Sequence, residues 1–187
     1  MKKALFIIPE CFIETHLVSI LLDDIKVNHQ NGCGAVSNTM QNKFGDQFAI
    51  GFIDDDKRKS AYTKKFNTIA TLTISDRASI IFQKHKERHH YLLIVSPEME
   101  ILLLESAELA GIEMKDFDLP NDLEGLKKIT KNINTNDNPN LRKLIKHLSK
   151  SSLKPYKKAL KYMIDNSYKI EERKLKELLI EGQNKKV

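Results

Sequence analysis

The sequence predicts an α/β protein: a mainly parallel sheet of about four strands flanked by helices, with a basic helical extension at its C-terminal end. Three observations predict it. Short apolar runs alternate with amphipathic stretches through the first half of the chain. Residues 48–53 and 91–95 are almost wholly apolar, as strands covered on both faces are. Charge is also unevenly spread: 14 of the 31 Lys and Arg, but only 5 of the 25 Asp and Glu, lie from Leu141 onward. A chain of 187 residues is long enough for one sizeable core and short for two full domains. The division expected is an α/β domain over residues 1–134 and a basic extension over 139–187.

In chain order, residues 3–8 read as a first strand. Glu10 follows it, and Glu14, Thr15 and His16 lead into an amphipathic helix carrying Leu17, Val18, Ile20, Leu21 and Leu22, with Asp23 and Asp24 near its close. Residues 25–29 read as a second strand, followed by the turn Asn31-Gly32-Cys33-Gly34 and a helix over residues 36–43. The third strand, residues 48–53, stops at Asp54-Asp55-Asp56. This β-α-β-α-β order implies right-handed crossovers between parallel strands, all releasing their loops on one edge. Glu10, the Gly32/Gly34 turn and Asp54/Asp56 are thus expected to converge there. Residues 58–66 are read as a helix, 78–84 as a strand, 84–88 as a polar turn and 91–95 as a buried strand. Ser96 as N-cap and Pro97 at the first helical position then open a helix that Gly111 closes. Residues 118–120 and 134–139 are breaks, and helices are expected over 123–131, 140–150, 155–166 and 171–181.

The opening MKKALFIIPEC superficially resembles a secretory signal, yet the apolar run of residues 4–8 is too short and ends in Pro9 and Glu10. The run 17–22 is too short to cross a bilayer. The expectation is a cytoplasmic protein with no membrane partner, and two free thiols, Cys11 and Cys33, suit that compartment.

Three clustered aspartates repel one another, so a cation, a basic side chain or solvent must offset them. Alternation along a strand end aims Asp54 and Asp56 at one point and turns Asp55 away. With Glu10 and Glu14 at a neighbouring strand-to-helix junction, these hard oxygen ligands suit Mg²⁺ or Mn²⁺, which share carboxylates with water and phosphate. The blander alternative is an acidic turn. The basic segment suits a polyanion: Lys57, Arg58, Lys143, Lys146, Lys157 and Lys158 are candidates for binding a nucleic-acid backbone, against the alternative of solvated helix faces. His85, His89 and His90 beside Lys84, Lys86 and Arg88 could grip phosphate, though a solvated hairpin tip is the simpler reading. Cys33 reads as a small buried residue, having no identifiable base near it. His16, and Tyr156, Tyr162 and Tyr168 at helical spacing, fit core packing as well as they fit a site.

The order IIPE…E, then FIDDD, resembles the Toprim domain, with Glu10-Cys11-Phe12-Ile13-Glu14 as its first motif and Ile53-Asp54-Asp55-Asp56 as its second. LLIVSPEMEILLL, residues 92–104, is similar to the strand, N-P-x-(F/L)-E and helix of Toprim-like proteins from bacterial restriction and phage-defence loci, with Glu100 at that motif's Glu. The resemblance covers residues 3–112. It implies a Toprim or Rossmann-like fold and Mg²⁺- or Mn²⁺-dependent phosphodiester chemistry on DNA or RNA. In it Asp54 and Asp56 are metal ligands, Glu10 is a ligand or general acid/base, and Glu14 and Glu100 are additional acidic residues. Cys11 stands where the family has Gly, which leaves open a non-catalytic nucleic-acid or nucleotide-binding module or a partner subunit on the same fold; a partner protein or a homodimer is a separate expectation. A phosphoacceptor receiver domain is a third possibility, disfavoured by the single Glu after the first strand and by Ser96-Pro97 where Lys-Pro would stand.

Overall fold

The computed structural model describes residues 3–55, 60–131 and 138–180. The first apolar run is split: β1 (Lys3–Ala4) and β2 (Ile7–Pro9) flank a turn at Leu5 and Phe6. Nothing in the run itself signals that interruption. Then come α1 (Phe12–Leu21), β3 (Lys26–Val27) and α2 (Cys33–Asn38), the last continued by a π-helical turn over Thr39–Phe44. β4 (Ala49–Asp54) is the aspartate-ended strand. β5 (Phe66–Thr73), β6 (Ser79–His85) and β7 (His90–Ser96) follow, and then α3 (Met99–Leu109). The chain closes with α4 (Leu123–Thr130), α5 (Pro139–Leu148), α6 (Lys154–Asn166) and α7 (Glu172–Ile180).

The main sheet has five strands in the order β2-β4-β7-β6-β5. β2, β4 and β7 are parallel, whereas β6 and β5 add antiparallel. β1 and β3 form a separate parallel pair. Beyond it the chain still follows β2, since Asn28 N–H donates to Ile7 O and Gln30 N–H to Pro9 O, each at 2.9 Å. The fold is therefore α/β, as expected, with a mixed sheet of five strands where a mainly parallel sheet of about four was expected.

Two local readings are corrected. Within the expected helix 58–66, residues 60–65 form a turn and a short 3-10 helix, and Phe66 begins β5; residues 56–59 lie outside the described residues. The run Phe66-Asn-Thr-Ile-Ala-Thr-Leu-Thr is rich in β-branched residues and ends at Ser75-Asp76-Arg77, so the hairpin signal was present in the sequence. Ser96 and Pro97 do not cap α3: Pro97 follows a cis peptide bond, and Glu98 is the N-cap. Gly111, with φ of +66°, does close it.

Side chains alternate across the sheet. Ile50, Phe52, Leu93 and Val95 face a large core cluster shared with α1, α3, α5, α6 and α7. Ala49, Ile53, Leu92 and Ile94 face a smaller one under α2 and the π-helical turn. A Cβ on Gly51 would lie 2.7 Å from Met40 Sδ and 2.9 Å from Val36 Cγ1, so glycine lets that helix seat on the sheet. Gly51→Val is expected to cost about 1–3 kcal/mol by overpacking, read as a lower urea midpoint; an unchanged midpoint would show that the helix is not seated there.

Candidate functional site

The carboxyl ends of the parallel strands carry the acidic residues. β2 runs out into Glu10 and turns at Cys11 into α1, while β4 ends at Asp54 beside it. The backbone N–H of Asp54 donates to Glu10 Oε2 at 3.3 Å, which brings the two strand ends together through a side chain. Glu14, one turn into α1, reaches back so that its Oε2 accepts from the N–H of Glu10 at 2.7 Å and of Cys11 at 3.2 Å. That contact satisfies otherwise orphaned amides at the start of α1.

The neighbouring helix closes the other side. Asp54 Oδ1 accepts from the N–H of Met99, the first residue of α3, at 3.1 Å. Glu98 pairs with Lys127 of α4 at 2.8 Å, and Thr130 donates to Glu100. Asp55 turns away, as strand alternation requires, and accepts from Ser96 Oγ at 3.0 Å. Glu10, Glu14, Asp54, Glu98 and Glu100 thus gather where the amino ends of α1 and α3 converge, and helix amino ends favour negative charge. Sequence reasoning missed Glu98, and the capping of α3 by Asp54 could be read only from the fold.

The charges feel one another. Burial raises the Asp54 carboxyl to about 7, with Glu100, Glu10 and Glu98 adding to the effect. Glu14 is fully buried and held well above the usual carboxylate range, first by that burial and then by Asp54 and Glu10. Burial and then Glu14 push the Cys11 thiol far up, so it stays protonated and is a poor nucleophile or metal ligand. Asp56 lies outside the described residues. Among the described residues, no three His, Cys, Asp or Glu form a group that could hold a metal ion. Two carboxylates at one strand edge are nonetheless the usual protein contribution to a Mg²⁺ site, where water and phosphate complete the shell.

The other candidates scatter. Lys57 and Arg58 lie outside the described residues. Lys143, Lys146 and Lys158 are exposed on α5 and α6. Lys157 is tied to Asp23 at 3.2 Å, with Lys161 on the same carboxylate at 2.7 Å and Arg142 on Asp24 at 2.5 Å. Asp23 and Asp24 follow the carboxyl end of α1, whose length of 10 residues puts these pairs about 15 Å from the helix start that carries Glu14. His85 and His90 are buried, which corrects the solvated hairpin tip and removes them as phosphate ligands. His89 is exposed against Tyr168, at 4.9 Å between ring centroids. His16 and Tyr156 are core residues, and Cys33 packs half-buried under the smaller cluster.

The chain matches no protein-family model, no curated protein and no solved structure. Among the described residues, no helix is long and apolar enough to cross a membrane.

Proposed function

We propose that this chain is a Toprim-like, metal-dependent phosphodiesterase acting on DNA or RNA, with Glu10 and Asp54 as protein ligands of Mg²⁺ or Mn²⁺ and Asp56 as a third carried over from the motif. The observation that carries the reading is the meeting of Glu10 and Asp54 at adjacent parallel strand ends within a ring of further carboxylates. Ligands of open α/β sheets bind at that edge. Carboxylates crowded until one of them holds its proton to about 7 gain most from a dication.

A bound dication would make a coordinated water more acidic and offset charge on the phosphodiester oxygens. Glu10 takes the proton of the attacking water and later returns one to the leaving oxygen. Asp54 is oriented for its part by the Met99 amide, and Glu14 fixes the backbone from which Glu10 projects. The place in phage defence rests on the resemblance of the three motifs.

The test is direct. Purified protein is expected to nick or degrade DNA or RNA with Mg²⁺ or Mn²⁺, and its melting temperature to rise with either ion at pH 8 more than at pH 5. Absence of both responses would sink the reading. Cys11 at the glycine position favours a second one, a nucleic-acid-binding module without catalysis; salt-sensitive binding without cleavage would select it.

A further inference from the structure

At the opposite end of the sheet lies a second titratable cluster. Ala49 pairs with His90 where Asp54 pairs with Val95, so the cluster is about 16 Å from the acidic edge along the strands. His85 ends β6 and His90 begins β7, and both rings are buried, at 3% and 0% exposure. His85 Nδ1 accepts from the backbone N–H of Glu87 and of Arg88, each at 3.1 Å. Both partners are donors, so this nitrogen must carry a lone pair and the ring must be neutral. His90 Nδ1 is bonded to the Tyr62 hydroxyl. His85 Nε2 has no hydrogen-bond partner, whereas the backbone of Gln47 also bonds the His90 ring and favours its protonated form. Aromatic packing completes the box, with Tyr62 at 5.2 Å and Phe66 at 5.0 Å from His85.

Arg88 links this box to the helix on the other side of the turn. Its Nη1 donates to the carbonyls of Gln41 and Gly45 at 3.2 and 3.3 Å, and its Nε lies 3.4 Å from the Asp46 carboxylate. The guanidinium also sits 6.0 Å from the Tyr62 ring centre. Those carbonyls belong to the carboxyl end of the π-helical turn, so the hairpin tip and that helix end are held by the same residues.

We propose that this cluster is a proton-operated latch: acidification opens the tip of the β6–β7 hairpin together with the end of the π-helical turn, while β2, β4 and the body of β7 stay closed. Protonation at His85 Nδ1 turns an acceptor into a donor facing two backbone donors. A proton on His90 adds a buried cation beside Arg88, a cost that the Gln47 backbone and Asp46 offset only in part. The charged groups around His85 are Arg88, Glu87 and Lys65; those around His90 are Arg88, His85 and Asp46, with Tyr62 as the remaining titratable neighbour. Burial lowers His90 to about 4, and it lowers His85 as well, Arg88 adding to both. An opened ring titrates near 6.5. A depressed folded value means that the closed form is fully favoured above that pH and loses ground as pH falls toward about 4. Opening then takes up protons, and its equilibrium rises by about tenfold per pH unit for each proton taken up.

Amide hydrogen exchange of the full chain, corrected for intrinsic rates, tests this between pH 7.5 and 4.5. Segments 41–47 and 85–91 are expected to lose protection at least tenfold per pH unit below about 6, with 49–54 unchanged. His85→Asn keeps an acceptor for the two amides but binds no proton, and is expected to flatten the slope; ring titrations of the native protein by NMR give the same answer without a variant. Protection that holds to pH 4.5, or that disappears from the whole sheet at once, overturns the proposal.

Discussion

Asp54→Asn is expected to lower metal-dependent cleavage of DNA or RNA by roughly 10²–10³-fold, because it removes a charged ligand where transition-state charge must be stabilised. The same substitution is expected to stabilise the metal-free protein at pH 8, by about 1 kcal/mol. Asparagine keeps an oxygen for the Met99 amide and removes a charge crowded by Glu100, Glu10 and Glu98. The sign follows from the raised folded value. Asp54 ionises near 3.8 in the unfolded chain and near 7 in the fold, so its contribution is fully present below about 4 and is lost as pH rises to about 7. The melting curves of native and variant protein should therefore converge at pH 4 and separate by pH 8 in the variant's favour. Added Mn²⁺ should close the gap by stabilising only the native chain. Cleavage that survives the substitution would belong to another site or a contaminant.

Truncation after Asn140 is expected to unfold the α/β domain rather than merely strip it of a basic arm. Leu141, Leu144, Ile145, Leu148, Leu153, Tyr156, Leu160, Met163, Leu175 and Leu179 are all buried, in the same cluster as Leu17, Leu21, Phe52 and Phe82. Tyr156 is fully buried with its ring edge-on to Phe82, at 6.2 Å between centroids. Each such side chain is worth about 1.5–3 kcal/mol when buried, against a total stability of about 5–15 kcal/mol for a domain. The ordering entropy of three helices is recovered on truncation, but the sheet face they cover is then exposed to water. Circular dichroism of residues 1–140 should show no cooperative melting transition. A sharp transition near that of the full chain would mean that the first 140 residues close their own core.

The legible parts of this molecule were those with local signatures. β4 and β7 announce themselves as near-continuous apolar runs, because a strand covered on both faces has no solvent side to alternate with. Asp55 turning away from Asp54 follows from a period of two, and the four C-terminal helices follow from apolar spacing and caps such as Asn138 before Pro139. β5 falls mostly in a stretch that the sequence reading assigns to no element, with only Phe66 inside the helix expected over 58–66, although its β-branched residues are a strand signal. The start of α3 lies later than the Ser-Pro pair because Glu98 intervenes between Pro97 and the helix and takes the N-cap position.

The aspartate-ended strand, the glutamates after the first strand and the basic tail are thus properties of the sequence, and so is the α/β class, because periodicity and strand-end composition are local. Tertiary packing settled the rest. It joined Glu10 to Asp54 through a backbone amide, brought Glu98 and Glu100 against them, buried His85 and His90, and turned the tail's apolar face into part of one core. The physical reason is range. Hydrogen bonds and burial between residues 44 apart, as with Glu10 and Asp54, or 74 apart, as with Phe82 and Tyr156, depend on which strands and helices become neighbours, and no local pattern encodes that choice.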